Sequence, residues 1–403
     1  MASQFEAVSM FQRTRHFAPK FRPWDPSEAA VAIREIAADA LSAHDRLSLW
    51  PAHPMEDRLP DGLGSLYFGA AGVIWALDYL KRMGAITAAI DLAPLLEAAL
   101  ERNAPWFARQ SYPKHSSLLM GDLGIRLVQM RLTPEPGLAD TIHALAAANN
   151  NLPTLELMWG LPGSMLACVH MHAMTKDERF KTVFQRQAGR LLTELETTED
   201  GTIWTQDLYG RRQRWLGPVH GFAGNMLPLL RGWGWLTPAQ QVVVANAVPL
   251  TLAQHVVRSP LGATWPAVVP SSGPPTLCQH CHGAPGIVTA MADAPFSTPD
   301  LETLLLQAGE LIWNAGPLVK GSNLCHGTGG NGYAFLKLYR RKKDSLWLER
   351  ARAFAMAAID QVRGARAAFG RGRYSLWTGD LGLAVYLWHC TTGEPHFPTI
   401  DVL

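Results

Sequence analysis

A short Gly-x-x-Gly element recurs seven times along the 403-residue chain, and this repeat constrains the fold more than any other feature. The copies are Gly69–Gly72, Gly121–Gly124, Gly160–Gly163, Gly221–Gly224, Gly283–Gly286, Gly327–Gly330 and Gly379–Gly382. Their spacing of about 40 to 60 residues is the period of helical repeat arrays. One copy means little. Seven copies, each opening an apolar segment of helical length such as GVIWALDYL from Gly72 or GLAVYLWHC from Gly382, mark seven equivalent units. The glycines read as tight turns where backbone approaches backbone or reaches positive φ. The segments that follow are apolar on most sides, as helices buried on nearly every face are.

Between them lie seven amphipathic stretches, expected to be helices starting near Ser27, Ala88, Gly137, Lys176, Pro238, Pro299 and Trp347. Their starts carry capping chemistry. Asp25-Pro26-Ser27-Glu28 reads as an N-cap, a Pro at the first helical position and a capping-box Glu. Thr175-Lys176-Asp177-Glu178 and Thr237-Pro238-Ala239-Gln240 follow the same logic. Seven inner and seven outer helices in alternation predict an all-α fold, a closed α/α toroid spanning residues 1–403 as one unit with residues 1–24 as an N-terminal extension. An open solenoid would instead need capping repeats. Two stretches break the pattern. Glu199 to Pro218 predicts a β-hairpin and Ser259 to Leu277 a long loop, both placed to roof a central cavity.

Hydrophobic residues make up 48% and charged residues 17%, which supplies a large core and little material for a disordered tail. The formal charge of +2, without basic blocks, disfavours a nucleic-acid partner. No apolar stretch approaches the ~18 residues of a membrane span. Arg13, Arg15, Lys20 and Arg22 precede no apolar run, which argues against a secretory signal and for a cytoplasmic protein. Five cysteines in such a chain read as metal ligands or buried apolar residues rather than a disulfide framework.

In a closed ring the seven turns gather at one end, so the polar residues preceding them converge. Turn five reads Cys278-Gln279-His280-Cys281-His282-Gly283 and turn six Asn323-Leu324-Cys325-His326-Gly327. Cys281 and Cys325 stand two before the first glycine, and His282 and His326 one before it. The repeat-matched trio Cys281, Cys325 and His326 would bind Zn²⁺ with one position open. Cys278 could instead join Cys281 in a closed structural site, or these residues could bind no metal. An open site takes a substrate thiol, whose free pKa is about 8.5, and a bound Zn²⁺ deprotonates it. Two thiolate ligands already cancel the metal charge, so the third sulfur stays nucleophilic. Cys168 and Cys390 fall within apolar helix patterns and read as buried. His220 in turn four shares the offset of His326 and is placed to exchange a proton near neutral pH, or to serve as a hydrogen-bonded structural histidine. Glu156, in LELMWG before turn three, is a salt-bridge partner or a cavity residue. Asp122 and Asp380 read as caps of inner helices.

With these motifs the sequence resembles the lanthionine synthetase C-like family over nearly its whole length. CHGAPG and LCHGTGGNGYAFLKLY are the most specific segments, and with ELMWG they resemble the stand-alone eukaryotic-type, glutathione-using branch more than the lantibiotic cyclases. Arg15-His16-Phe17 resembles a short N-terminal element of that branch, whereas His280 stands where the family usually has Trp. The resemblance implies an α/α barrel, zinc on Cys281, Cys325 and His326, and His220 as the proton donor and acceptor. It places Glu156 where the cyclases carry an Asp, and Lys320 on a lysine near the substrate. It implies addition of a thiol, glutathione or a peptide cysteine, to dehydroalanine or dehydrobutyrine in a dehydrated peptide or protein. Lys320 and Arg15 would then hold an anionic group. The alternative is a non-catalytic zinc- and glutathione-binding scaffold. A carbohydrate-active α/α toroid would need two acids facing one cavity, and it leaves the cysteines unexplained.

Overall fold

The computed structural model describes residues 10–56, 59–88, 91–109, 116–199 and 201–403. Fourteen α-helices alternate between two layers. The inner helices are α2 (Ala70–Arg82), α4 (Asp122–Leu132), α6 (Leu161–Thr175), α8 (Phe222–Arg231), α10 (Ala284–Met291), α12 (Thr328–Lys342) and α14 (Asp380–Thr392). The outer helices are α1 (Pro26–Ala43), α3 (Leu95–Ala108), α5 (Pro136–Ala148), α7 (Glu178–Thr193), α9 (Pro238–His255), α11 (Pro299–Ala315) and α13 (Ser345–Phe369). Each inner helix packs on the next, and α14 packs on α2, so the ring closes. The predicted toroid of seven inner and seven outer helices is the fold observed.

The glycine repeat closes the ring atom by atom. A Cβ on the second glycine of each turn would collide with the carbonyl oxygen six residues upstream. That upstream position is Leu66, Leu118, Leu157, Pro218, His280, Leu324 and Leu376 in the seven repeats. The same glycine also faces the matching residue of the neighbouring repeat: Gly124 meets Leu66, Gly163 meets Leu118, and Gly72 meets Leu376 of the last repeat. Close approach is therefore the general reason for the glycines. Positive φ applies among the first glycines of the turns only at Gly283, with φ 103°.

Helix starts follow the expected chemistry with instructive exceptions. Asp25 caps α1 by accepting from the Ser27 and Glu28 N–H groups, but the Glu28 carboxylate turns outward to Arg22 and Arg363 rather than closing a capping box. Thr237 and Gln240 do form the reciprocal box at α9. At α7 the cap is Asp177, not Thr175; Lys176 takes φ 60° and breaks the chain between α6 and α7. The helix expected near Ala88 starts at Leu95, after Asp91 has drawn the Ala93 N–H into a turn ahead of Pro94. Asp122 and Asp380 do not cap: Gly121 and Gly379 hold the cap positions, Asp122 accepts from Asn103, and Asp380 accepts from the Arg373 N–H.

The expected single hairpin is two. β1 (Glu196–Thr198) pairs with β2 (Gly201–Ile203), and β3 (Gln206–Leu208) pairs with β4 (Arg211–Trp215) through a Tyr209-Gly210 turn with φ 54° and 71°. Both central residues at positive φ match the twist of a two-residue hairpin. The segment expected as a loop from Ser259 to Leu277 also carries strand: β6 (Gly262–Thr264) pairs with β5 (Val257–Ser259), and β7 (Val268–Val269) joins β4.

Candidate active site

Backbone hydrogen bonds from turn to turn set the site. The Cys281 N–H donates to the Cys325 carbonyl (3.0 Å), Cys325 to Trp377 (2.9 Å), and Trp377 to Tyr67 (3.2 Å). All four residues stand two before the first glycine of their turns. Cys281 and Cys325 are therefore lateral neighbours, and each buried thiol perturbs the other. That proximity, aided by the Gln279 amide donating to Cys281 Sγ at 2.9 Å, holds the Cys281 thiol below its usual range despite burial. The same proximity and burial hold the Cys325 thiol above its range. Tyr67 lies against Cys325 from the other side, with a hydroxyl that burial and the thiol both keep protonated.

His326 is the third member of the expected trio. Its backbone N–H donates to Asn323 Oδ1 at 3.0 Å, and its Nε2 is buried with no hydrogen-bond partner. Burial, then Lys320, Arg373 and Arg15, push the imidazole down to about 3, which keeps it neutral with a lone pair to give. Two adjacent thiols and a neutral imidazole with an unpartnered nitrogen are a donor set suited to Zn²⁺. As placed, the imidazole does not join the sulfurs: among the described residues no three His, Cys, Asp or Glu side chains converge as a metal cluster. Cys278 is buried as well. Burial alone pushes its thiol up to about 12, and its carbonyl accepts from Asn331 at 2.9 Å. His280 is core, stacked on Phe397 with ring centroids 4.5 Å apart, and it fills the position held by leucine in most repeats. Cys168 and Cys390 are buried on inner helices as expected.

His220 and Glu156 form a unit. Glu156 is fully buried, and its carboxylate accepts from the Met158 N–H (3.1 Å), the Trp159 N–H and His220 Nδ1 (2.8 Å). With Nδ1 committed to a carboxylate, the tautomer is fixed and Nε2 is left for chemistry. Glu156 thus positions His220. His220 acts electrostatically on the Cys281 thiol, which joins this pair to the sulfur pair. The first of the two insertions covers the site: Tyr209, at the hairpin tip, packs edge-on over His220 at 5.5 Å, and Trp215 of β4 lies against His282 at 5.7 Å. Tyr209 also receives a hydrogen bond from the Trp159 indole at 2.9 Å.

Arg15 reaches the site through one intermediary. Its Nη2 donates to Gln279 Oε1 at 3.0 Å, and the same amide donates to Cys281. Its segment is strapped to the approach of turn six, with Phe17 N–H on the Pro317 carbonyl (2.8 Å) and Val319 N–H on the Arg15 carbonyl (2.9 Å). Lys320 is exposed and touches neither thiol, but its charge acts on Cys281, Cys325 and His326. Sequence reasoning missed Gln279 and Tyr67. Tyr67 had a signal: it stands two before Gly69, the offset of the two cysteines.

The model for lanthionine synthetase C-like proteins matches residues 60–402. The chain belongs to this family. This LanC-like chain is 28% identical over 209 residues to the glutathione S-transferase LANCL1 of Danio rerio, covering 50% of each chain. It is 35% identical over 147 residues to the LanC-like protein GCL1 of Arabidopsis thaliana, covering 35% of this chain and 32% of that protein. The matched stretches span half or less of these curated relatives, which belong to the stand-alone eukaryotic-type branch. Among solved structures, nisin cyclase shares the LanC-like toroid with a TM-score of 0.59 at 14% identity, covering 82% of this chain and 92% of that one. No described helix is long and apolar enough to cross a membrane.

Proposed function

We propose that this protein adds a thiol, glutathione or a peptide cysteine, to dehydroalanine or dehydrobutyrine residues and so forms a thioether. The observation that carries this reading is the pairing of two neighbouring buried cysteines, Cys281 and Cys325, with an imidazole held in one tautomer by a buried carboxylate. Cys281, Cys325 and His326 would hold a Zn²⁺. Bound there, the ion would supply deprotonation of an entering thiol and a position for its sulfur.

His220 does the proton work. Its Nε2 takes the proton that the entering thiol gives up, and Glu156 stabilises the resulting imidazolium through Nδ1. The sulfur bonds to the acceptor Cβ, and the C=C electron pair moves toward the acceptor carbonyl. His220 then returns its proton to Cα. The balance is H–S added across C=C with nothing released. Tyr209 and Trp215 cover the site and limit competing water. Arg15, through Gln279, and Lys320 are the groups to hold a carboxylate or phosphate of the reactants.

The test is incubation with glutathione and a dehydroalanine peptide, read by mass spectrometry, alongside elemental analysis of the purified protein. An adduct above the no-enzyme control and about one zinc per chain are expected. Cys325→Ala should abolish adduct formation with the helical fold kept, and His220→Ala should slow it by about 10²- to 10⁴-fold. Glutathione binding with no adduct would favour the non-catalytic scaffold, and a zinc-free protein would remove the mechanism.

A further inference from the structure

The two sulfur-bearing turns carry an amide at the same offset. Gln279 stands two before Cys281, and Asn323 stands two before Cys325. The shorter side chain stays local: Asn323 Oδ1 accepts from the His326 N–H at 3.0 Å. The longer one reaches out of its turn. Gln279 is 6% exposed, and its backbone is pinned by reciprocal hydrogen bonds with His282, each 3.1 Å. Its side chain bridges two groups. Oε1 accepts from Arg15 Nη2 at 3.0 Å, and Nε2 donates to Cys281 Sγ at 2.9 Å. A guanidinium only donates, so the carbonyl end must face Arg15 and the N–H end must face the sulfur.

Arg15 arrives on a strap that is tied to the approaches of both turns. The Gln12 N–H donates to the Thr276 carbonyl at 3.0 Å, five residues before Cys281. On the side of turn six, His16 Nδ1 bonds the Gly316 carbonyl at 3.0 Å, and the Phe17 N–H donates to Pro317 at 2.8 Å. The Val319 N–H returns a bond to the Arg15 carbonyl at 2.9 Å. Gly316 takes φ 82°, and a Cβ there would strike the Phe17 carbonyl, so the strap seats on a position that only glycine fills.

The amide acts differently on the two states of the sulfur. A thiol is a weak acceptor, whereas a sulfur that binds metal is a thiolate. A hydrogen bond to an ionised acceptor is about twice as strong as a neutral one. The Gln279 bond therefore strengthens when Cys281 takes a metal. Arg15 adds to this, because a cation at the carbonyl end polarises the amide and improves its N–H as a donor. It also holds a long side chain in the one rotamer that reaches the sulfur. Resting on the reading of Cys281, Cys325 and His326 as a zinc site, we propose that Gln279 is a positioning residue that ties the N-terminal strap to the Cys281 thiolate, so that metal retention depends on Arg15.

Competition for zinc against a chromophoric chelator tests this on the full chain without turnover. Gln279→Met keeps the length of the side chain and removes its donor. It should weaken zinc binding about 10- to 100-fold, the usual cost of losing an outer hydrogen bond to a metal ligand. Arg15→Gln should weaken it about threefold, and should add nothing in the Gln279→Met background. Arg13→Gln removes a charge from the same strap outside the relay and should match the unsubstituted protein. With Co²⁺ in place of zinc, Gln279→Met should move the sulfur-to-metal charge-transfer band to longer wavelength, a signature that altered packing alone does not give. Unchanged zinc affinity and an unmoved band in Gln279→Met would overturn the proposal. An Arg15→Gln effect that persists in full beside Gln279→Met, or that Arg13→Gln reproduces, would also overturn it, because Arg15 would then act by its field. An unsubstituted protein that binds no zinc would remove the metal reading and the relay together. The expected zinc pattern without any adduct in the reaction assay would sink the catalytic reading and leave the relay standing.

Discussion

The Glu156–His220 pair shows how one buried carboxylate determines what a histidine can do. Glu156 has no exposure and three hydrogen-bond donors. Two are backbone N–H groups of its own turn, so the carboxylate is anchored before it meets His220. Glu156→Gln removes the charge and presents an amide where two acceptors are required. The expected result is a loss of kcat of roughly 100-fold with KM changed little, because the imidazole loses its orientation while the sulfur site remains. Steady-state kinetics on a dehydroalanine peptide check it; a mainly KM effect would assign Glu156 to substrate contact instead. The residue types were legible beforehand, since the glycine register put Cys281, Cys325, His326 and His220 at matching offsets. The Glu156 contact was not, because 64 residues separate it from His220. Gln279 was silent for a similar reason: an amide between a cysteine and a histidine has no distinguishing pattern.

At the scale of elements, the turn glycines are hemmed in by neighbours, whereas some glycines within helices are free. Gly286 sits where a Cβ would strike the His280 carbonyl and the Pro218 ring, whereas Gly189, within α7, faces open space. Gly286→Ala should therefore destabilise by about 3 kcal/mol or more, since both obstacles are backbone or ring atoms that cannot yield. Gly189→Ala should stabilise by about 0.5 to 1 kcal/mol through helix propensity alone. Thermal melts of the two variants give the comparison, and similar melting temperatures would refute the steric account of the repeat. Helix positions were readable to within two residues at most starts because caps and prolines are local signals. The exceptions arose where a side chain found a better distant partner, as Glu28 did in Arg22 and Arg363.

The whole molecule is held by its ring and by its last residues. Phe397 packs on His280 and Trp377, Thr399 accepts from His170 Nε2 at 3.1 Å through its carbonyl, and Asp401 meets Lys337 and Arg231. Lys337 is wholly buried on α12, paired with Asp401 and Asp293. Three imidazoles in this interior are pushed down by burial: His170 to about 4, His280 to about 3 and His389 to about 3. In each case the folded pKa lies below the unfolded value near 6.5, so the unfolded chain takes the proton first. Their contribution is complete above pH 6.5 and is lost as pH falls toward 4. At about 1.4 kcal/mol per pH unit for each group, the three together should cost about 4 kcal/mol per unit in that window, to which His326 and His282, also pushed down by burial, add. Urea denaturation at pH 7, 6 and 5 measures the slope, and a flat profile would show that these imidazoles are solvated. His389, between the hydroxyls of Tyr79 and Tyr333 at 2.8 Å each, is the one to replace by Gln to recover one group's share of it.

The sequence by itself determined the ring: a steric rule repeated seven times leaves each helix pair one way to pack, and periodicity makes such a rule visible. It also determined which thiols and imidazoles share a register, because equivalent positions in a closed ring must become neighbours. Only the tertiary structure decided which partners those groups take. Glu156 behind His220 and Gln279 between Arg15 and Cys281 are outcomes of distance. Hydrogen bonds and desolvation act over a few ångströms between residues that the chain keeps far apart, and no local pattern records them.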